Sequence, residues 1–143
     1  MPINFDLYGL PPAFLDGNLT AALIDSTGTP NRVLERNQPC SIKVDWSING
    51  PVAPGLGGDW RIQVFMESMG PGPELSIGTT TVPLNSVPPA AVRNYTATLN
   101  IPGGTVPADG TYKLTLVLTH TNLGVPDRMA GFVEGPVVQF YTP

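Results

Sequence analysis

The stretch Ala108-Asp109-Gly110-Thr111-Tyr112-Lys113-Leu114-Thr115-Leu116-Val117-Leu118-Thr119-His120 constrains the fold more than any other part of the chain, because a turn signal runs straight into a strict period-two pattern. Tyr112, Leu114, Leu116 and Leu118 fall on one side of an extended segment, and Lys113, Thr115, Val117 and Thr119 on the other. That is the alternation of a strand with one buried face. Similar segments recur at short intervals, each ended by Gly, Pro or Asn. Leu19 to Asp25, Cys40 to Ile48, Trp60 to Glu67, Glu74 to Val82, Arg93 to Ile101 and a last segment within Phe132 to Tyr141 read as strands, with Arg32 to Arg36 as a weak edge piece. Ile42, Val44, Trp46 and Ile48 share one face of the second of these, and Trp60, Ile62, Val64 and Met66 one face of the third.

No window carries a helical period. The 16 Gly and 17 Pro follow no Gly-X-Y repeat, so they read as turns, among them Asn49-Gly50-Pro51, Gly70-Pro71-Gly72-Pro73 and Pro88-Pro89. At 143 residues the chain suits one core, burying roughly 70% of the surface it would expose unfolded. The expectation is an all-β protein: a single antiparallel β-sandwich of seven or eight strands over residues 18–143. An eight-stranded jelly roll is the alternative.

Residues 1–17 read differently. Phe5, Leu7, Tyr8, Leu10 and Phe14 stand among Pro2, Pro11 and Pro12 without a helical period or a clean strand, so the segment is expected to be an extended apolar arm. Fully extended it could reach roughly 55 Å at about 3.3 Å per residue. It could cover its own sandwich or dock on a neighbour, and the sequence leaves both open.

Charged residues make up 13% of the chain, about half the share of roughly 25% usual in soluble domains. Such a surface is either neutral or partly covered by other subunits. A net charge of −4 with seven scattered basic residues excludes a phosphate-backbone partner. No apolar run reaches the length of a membrane span. The first basic residue is Arg32, so a secretory signal is not expected; cytoplasmic synthesis is, with incorporation into a particle or leaderless release left open.

One His and one Cys limit the chemistry. His120 closes a core strand with no acidic residue nearby in sequence, and reads as a surface or strand-end structural residue rather than part of a nucleophilic triad. Cys40 reads as a small buried hydrophobe, and a zinc site would need ligands the chain lacks. Asp45, Asp59, Glu67, Glu74, Asp109 and Glu134 are spread over different segments, which leaves a carboxylate-based hydrolase as a minor alternative. Catalytic residues, metal sites and cofactors are therefore expected to be none.

The order of features resembles the immunoglobulin-like β-sandwich, in particular its disulfide-free bacterial and fibronectin-type variants. Asp109-Gly110-Thr111-Tyr112 is similar to the turn and tyrosine that open the sixth strand there; the resemblance implies that the phenol bonds back to the preceding corner. Leu114 occupies the position of the second Cys of antibody domains. Trp60 stands where those domains bury a Trp, and Ile42 or Val44 would replace the first Cys. The resemblance covers Asn18 to Tyr141 and concerns the fold alone. Trp46, Trp60 and Tyr112 are core by strand phase. The same order implies that the loops Asn49–Asp59, Pro83–Val92 and Thr121–Arg128 gather at one end, as recognition loops do.

Two functions follow as expectations. One is a non-catalytic structural protein that self-associates, its arm residues Phe5, Leu7, Tyr8, Leu10 and Phe14 and its strand edges making the contacts with another copy or another protein. The other is a carbohydrate- or protein-binding module that uses Leu56, Leu123, Asp127 and Arg128 in the end loops.

Overall fold

The computed structural model describes residues 3–70 and 74–143; Met1, Pro2 and the last three residues of the Gly70–Pro73 break lie outside the described residues. Among the described residues nine strands form two layers: β1 (Ile3–Leu7), β2 (Asp16–Ile24), β3 (Val33–Glu35), β4 (Cys40–Asn49), β5 (Asp59–Ser68), β6 (Glu74–Pro83), β7 (Val92–Ile101), β8 (Gly110–Asn122) and β9 (Val125–Tyr141). One sheet has the order β1-β9-β8-β5-β6, with β3 also on β9, and the other the order β2-β4-β7. All pairings are antiparallel except the short β3–β9 pair. The molecule is a β-sandwich, and among the described residues no helix is long and apolar enough to cross a membrane.

The alternation that defined the strands also fills the core. Ile42, Val44, Trp46 and Ile48 of β4 face Trp60, Ile62, Val64 and Met66 of β5 and Tyr112, Leu114, Leu116 and Leu118 of β8, all buried. Trp46 and Trp60 meet edge to face across the layers at 6.3 Å, and Trp46 stacks on Tyr95, its register partner in β7, at 5.6 Å. Edge-to-face and offset-stacked pairs suit the quadrupole of aromatic rings. The Tyr112 hydroxyl donates to the Ala108 carbonyl at 2.8 Å, the bond back to the corner that the resemblance implies. Asp109 accepts from the Arg36 guanidinium at 3.1 Å and from the Thr142 hydroxyl at 2.7 Å. Those hydrogen bonds, Thr142 foremost, hold its carboxyl below the usual carboxylate range.

Two expectations are corrected. Residues 3–7 are not a patternless arm: β1 pairs along β9 from Ile3↔Val133 to Leu7↔Met129. Phe5 packs on Trp60 at 6.2 Å and Leu7 is buried. The backbone groups of β9 would otherwise form an open edge at this point. The segment Thr121–Arg128 is not a loop either. β8 continues to Asn122 and β9 begins at Val125, joined by Leu123-Gly124, both at positive φ (52° and 79°). That is the two-residue turn whose twist matches a hairpin.

Candidate functional site at the loop end

The strand registers bring four connections to one end of the sandwich. Asp59 lies opposite both Pro83 and Thr121, and Asn49 opposite both Asp16 and Val92. Residues 8–15, 50–58, 84–91 and the 123–124 turn therefore share that end. Backbone bonds join them: Gly50 N–H to Ala91 O (2.8 Å), Leu84 N–H to Gly58 O (3.0 Å), Val52 N–H to Phe14 O (3.2 Å) and Tyr8 N–H to Arg128 O (3.2 Å).

Beneath them lies Arg93, fully buried. It is the second residue of β7, in the same phase as Tyr95, Leu99 and Ile101, so its side chain points inward. Its guanidinium donates to the carbonyls of Ala53 (3.1 Å), Leu56 (2.7 Å), Leu84 (2.7 Å) and Val87 (3.1 Å), and reaches Asn85 Oδ1 at 3.4 Å. Among the described residues all its partners are uncharged oxygens, and its Nε has none. The Tyr95 hydroxyl adds a bond to Leu84 O at 2.8 Å. A planar fork with five donors can tie two loops together in this way, where an ammonium could not.

A second polar cluster holds the other side. His120, expected at the surface or a strand end, is buried because it shares the phase of Leu114, Leu116 and Leu118. Its Nε2 lies 2.6 Å from Gly57 O; a carbonyl can only accept, so Nε2 is the donor of this bond. Its Nδ1 is 3.3 Å from Asp127 Oδ2 and 3.4 Å from the Tyr8 hydroxyl. Tyr8 donates to Asp127 at 2.7 Å. Burial first, then the Asp127 hydrogen bond and charge, push the Tyr8 phenol up to about 12. The Tyr8 hydrogen bond, followed by the Arg128 N–H, holds the Asp127 carboxyl below its ordinary range. A partner for His120 thus comes from seven residues along the chain, folded back by the hairpin.

The residues singled out from the sequence separate into two groups. Leu7 is buried, Phe5 and Tyr8 are half-buried, and Asp127 is engaged by Tyr8. Leu10, Phe14, Leu123 and Arg128 face solvent, Leu123 almost completely at 97%, and Leu56 is half-buried against the core. Val92 and Val125 add exposed apolar surface at the same end. Arg93 and His120 were missed as organising residues although their signal was present: each is a polar side chain at a core-facing position of a strand.

No family model matches the chain, and no curated protein matches it. Solved structures do. The C-terminal domain of wzt has a TM-score of 0.56 at 11% identity, over 94% of this chain and 81% of that one. The β-glucosidase from Listeria innocua in complex with gluconolactone has a TM-score of 0.54 at 13% identity, and its complex with glucose 0.53 at 12%. The match to the glucosidase covers 91% of this chain and 17% of the enzyme. At these identities the likeness is one of fold.

Proposed function

We propose that this chain is a non-catalytic binding module that meets its ligand with the loop end. The observation that carries the reading is the Arg93 clamp. A buried guanidinium without a carboxylate is an expensive way to fix two surface loops, and fixing loops in advance lowers the ordering cost of binding. The exposed side chains there are Leu10, Phe14, Leu123, Val125 and Arg128, which suits a carbohydrate or a protein of low charge. Glucose and gluconolactone, the ligands of the matched glucosidase, support trying carbohydrates first. The strand order supports the finer reading of the sandwich as immunoglobulin-like: β2-β4-β7 on one side and β6-β5-β8-β9 on the other, with a bonded tyrosine at the corner.

The test is a glycan array and a protein-retention screen with the wild type, repeated with Leu123→Asp and Arg128→Ala, both at solvent-facing positions. Loss of the retained ligand in these variants is the expected result. A ligand held equally well by both, or none at all, refutes the reading.

Self-association through the leader is a second reading, favoured by the exposed Leu10 and Phe14. Because β1 is part of the sheet, the suitable variant is Leu10→Ser with Phe14→Ser rather than a deletion. An unchanged mass by light scattering would dismiss the leader as a contact.

A further inference from the structure

The edges of the two sheets are not equally protected. The outer side of β9 carries β1 and β3. The free side of β2 is partly taken by the following chain, through the Ile24↔Pro30 bridge and Asn31 N–H to Leu23 O at 3.1 Å. β6 and β7 are the facing edges of the two sheets, and Gly78 of β6 sits against the Leu99 side chain of β7. Among the described residues β6 itself is paired only with β5. It is ten residues long, and Glu74 at its start is its one charged residue.

The direction of its unspent groups follows from the register. Leu84 N–H donates to Gly58 O one step beyond the Asp59↔Pro83 pair. Hydrogen-bonded and non-bonded pairs alternate in an antiparallel ladder, so Val82, Thr80 and Gly78 bond to β5. Thr79 and Thr81 therefore point their N–H and C=O outward, and at Pro83 the outward row of donors ends. A lysine or a central proline, two of the usual protections of an edge, is absent from this stretch, and the bulge that β6 carries at Ile77, opposite the Val64–Phe65 step, lies just before it. Leu75, Ile77 and Val82, on the inward face, are only half-buried, so this side of the core is incompletely covered.

We infer that β6 is a dimerisation edge that pairs antiparallel with β6 of a second copy, about a two-fold axis at Thr80. In that register Thr79 lies opposite Thr81 of the other copy and exchanges both backbone hydrogen bonds with it, and the mirror pair does the same. Val82 comes opposite Gly78. Charge selects the occupant: the molecule carries a net −4, yet Glu74 falls outside the paired stretch, so two copies meet here without opposing like charges. Threonines facing each other across strands are a favourable pair. The continuous sheet would extend over Leu75, Ile77 and Val82. Because Pro83 marks the loop end in each copy, the dimer points its two loop ends in opposite directions. The inference does not depend on what the loop end binds.

The test is sedimentation velocity over a wide concentration range, with amide exchange followed at single residues. The wild type is expected to show a reversible monomer–dimer equilibrium, with Thr79 and Thr81 amides protected only where dimer is present. Thr79→Pro with Thr81→Pro removes the outward donors and leaves every β5–β6 bond in place. With four bonds of ordinary strength lost, the dissociation constant should rise about a thousandfold. Should the proline variant lose its near-UV circular dichroism, Thr79→Lys with Thr81→Lys sets like charges across the axis and should dissociate the dimer in the same way. A wild type that stays monomeric, a dimer unaffected by the lysine pair, or protection that appears on β7 or β2 instead would overturn the inference.

Discussion

Replacing Arg93 by Ala tests whether the loop end is built or merely adjacent. The substitution removes the donor to four carbonyls, but two of them keep other partners. Leu84 O still accepts from the Tyr95 hydroxyl at 2.8 Å, and Ala53 O from Leu56 N–H at 3.3 Å. Leu56 O and Val87 O are left stranded. A stranded buried acceptor costs about 1–3 kcal/mol. These two are only partly buried, so a loss of about 2–4 kcal/mol is expected once release of the desolvated charge is set against the vacated volume. For a chain of this size that is a fall in Tm of roughly 6–12 °C. Urea unfolding measures it, with the midpoint moving while the slope stays constant. Arg93→Lys keeps the charge but not the fork, and should recover less than half the loss. Amide exchange should quicken first in residues 53–57 and 84–88. A loss below about 1 kcal/mol, or full rescue by lysine, would show that the guanidinium does not hold the loops.

Tyr8→Phe removes the donor that depresses the Asp127 carboxyl, so the Asp127 titration followed by NMR should move upward, toward its ordinary range; no movement would show that the bond is absent in solution. The wild type should also be pH-sensitive at both extremes. The lowered Asp127 group gives stability present above about 3.8 and lost as acid takes pH through its folded value. The raised Tyr8 group gives stability present below 10.0 and lost as pH climbs toward about 12. Gly58→Ala should destabilise severely, because φ is +91° and the new Cβ would sit 2.5 Å from Thr121 O, whereas Gly57→Ala has open space and should be near neutral in the same thermal melts.

Much of the sandwich was legible because its strands are amphipathic: Cys40–Ile48, Trp60–Glu67 and Thr111–His120 predict β4, β5 and the centre of β8 to within a few residues. β1 escaped although Phe5 and Leu7 alternate with Asp6, since five residues ending in Tyr8-Gly9 and two prolines resemble a linker. Only the unpaired side of β9, set by tertiary structure, makes that segment a strand. The hairpin at Leu123-Gly124 was hidden by Asn122, Gly124 and Pro126, turn-forming residues that suggest a longer loop than the two residues the backbone uses. At the loop end the two polar pins were visible as exceptions to the apolar phase, Arg93 beside Tyr95 and His120 beside Leu118. Their partners were not. Arg93 bonds carbonyls from positions 53 to 87, and main-chain oxygens leave no trace in an amino-acid pattern. Asp127 reaches His120 only because the turn between them is so short.

The clamp on these loops has a further consequence for how the protein responds to its solvent. Because Arg93 is met by main-chain dipoles inside the sandwich instead of by a surface carboxylate, the clamp itself offers dissolved ions no exposed pair to screen. Together with a surface that carries so few charges, this makes the hold of Arg93 on residues 53–56 and 84–87 nearly independent of ionic strength. Those two loops would keep the same arrangement in dilute fresh water and in brine.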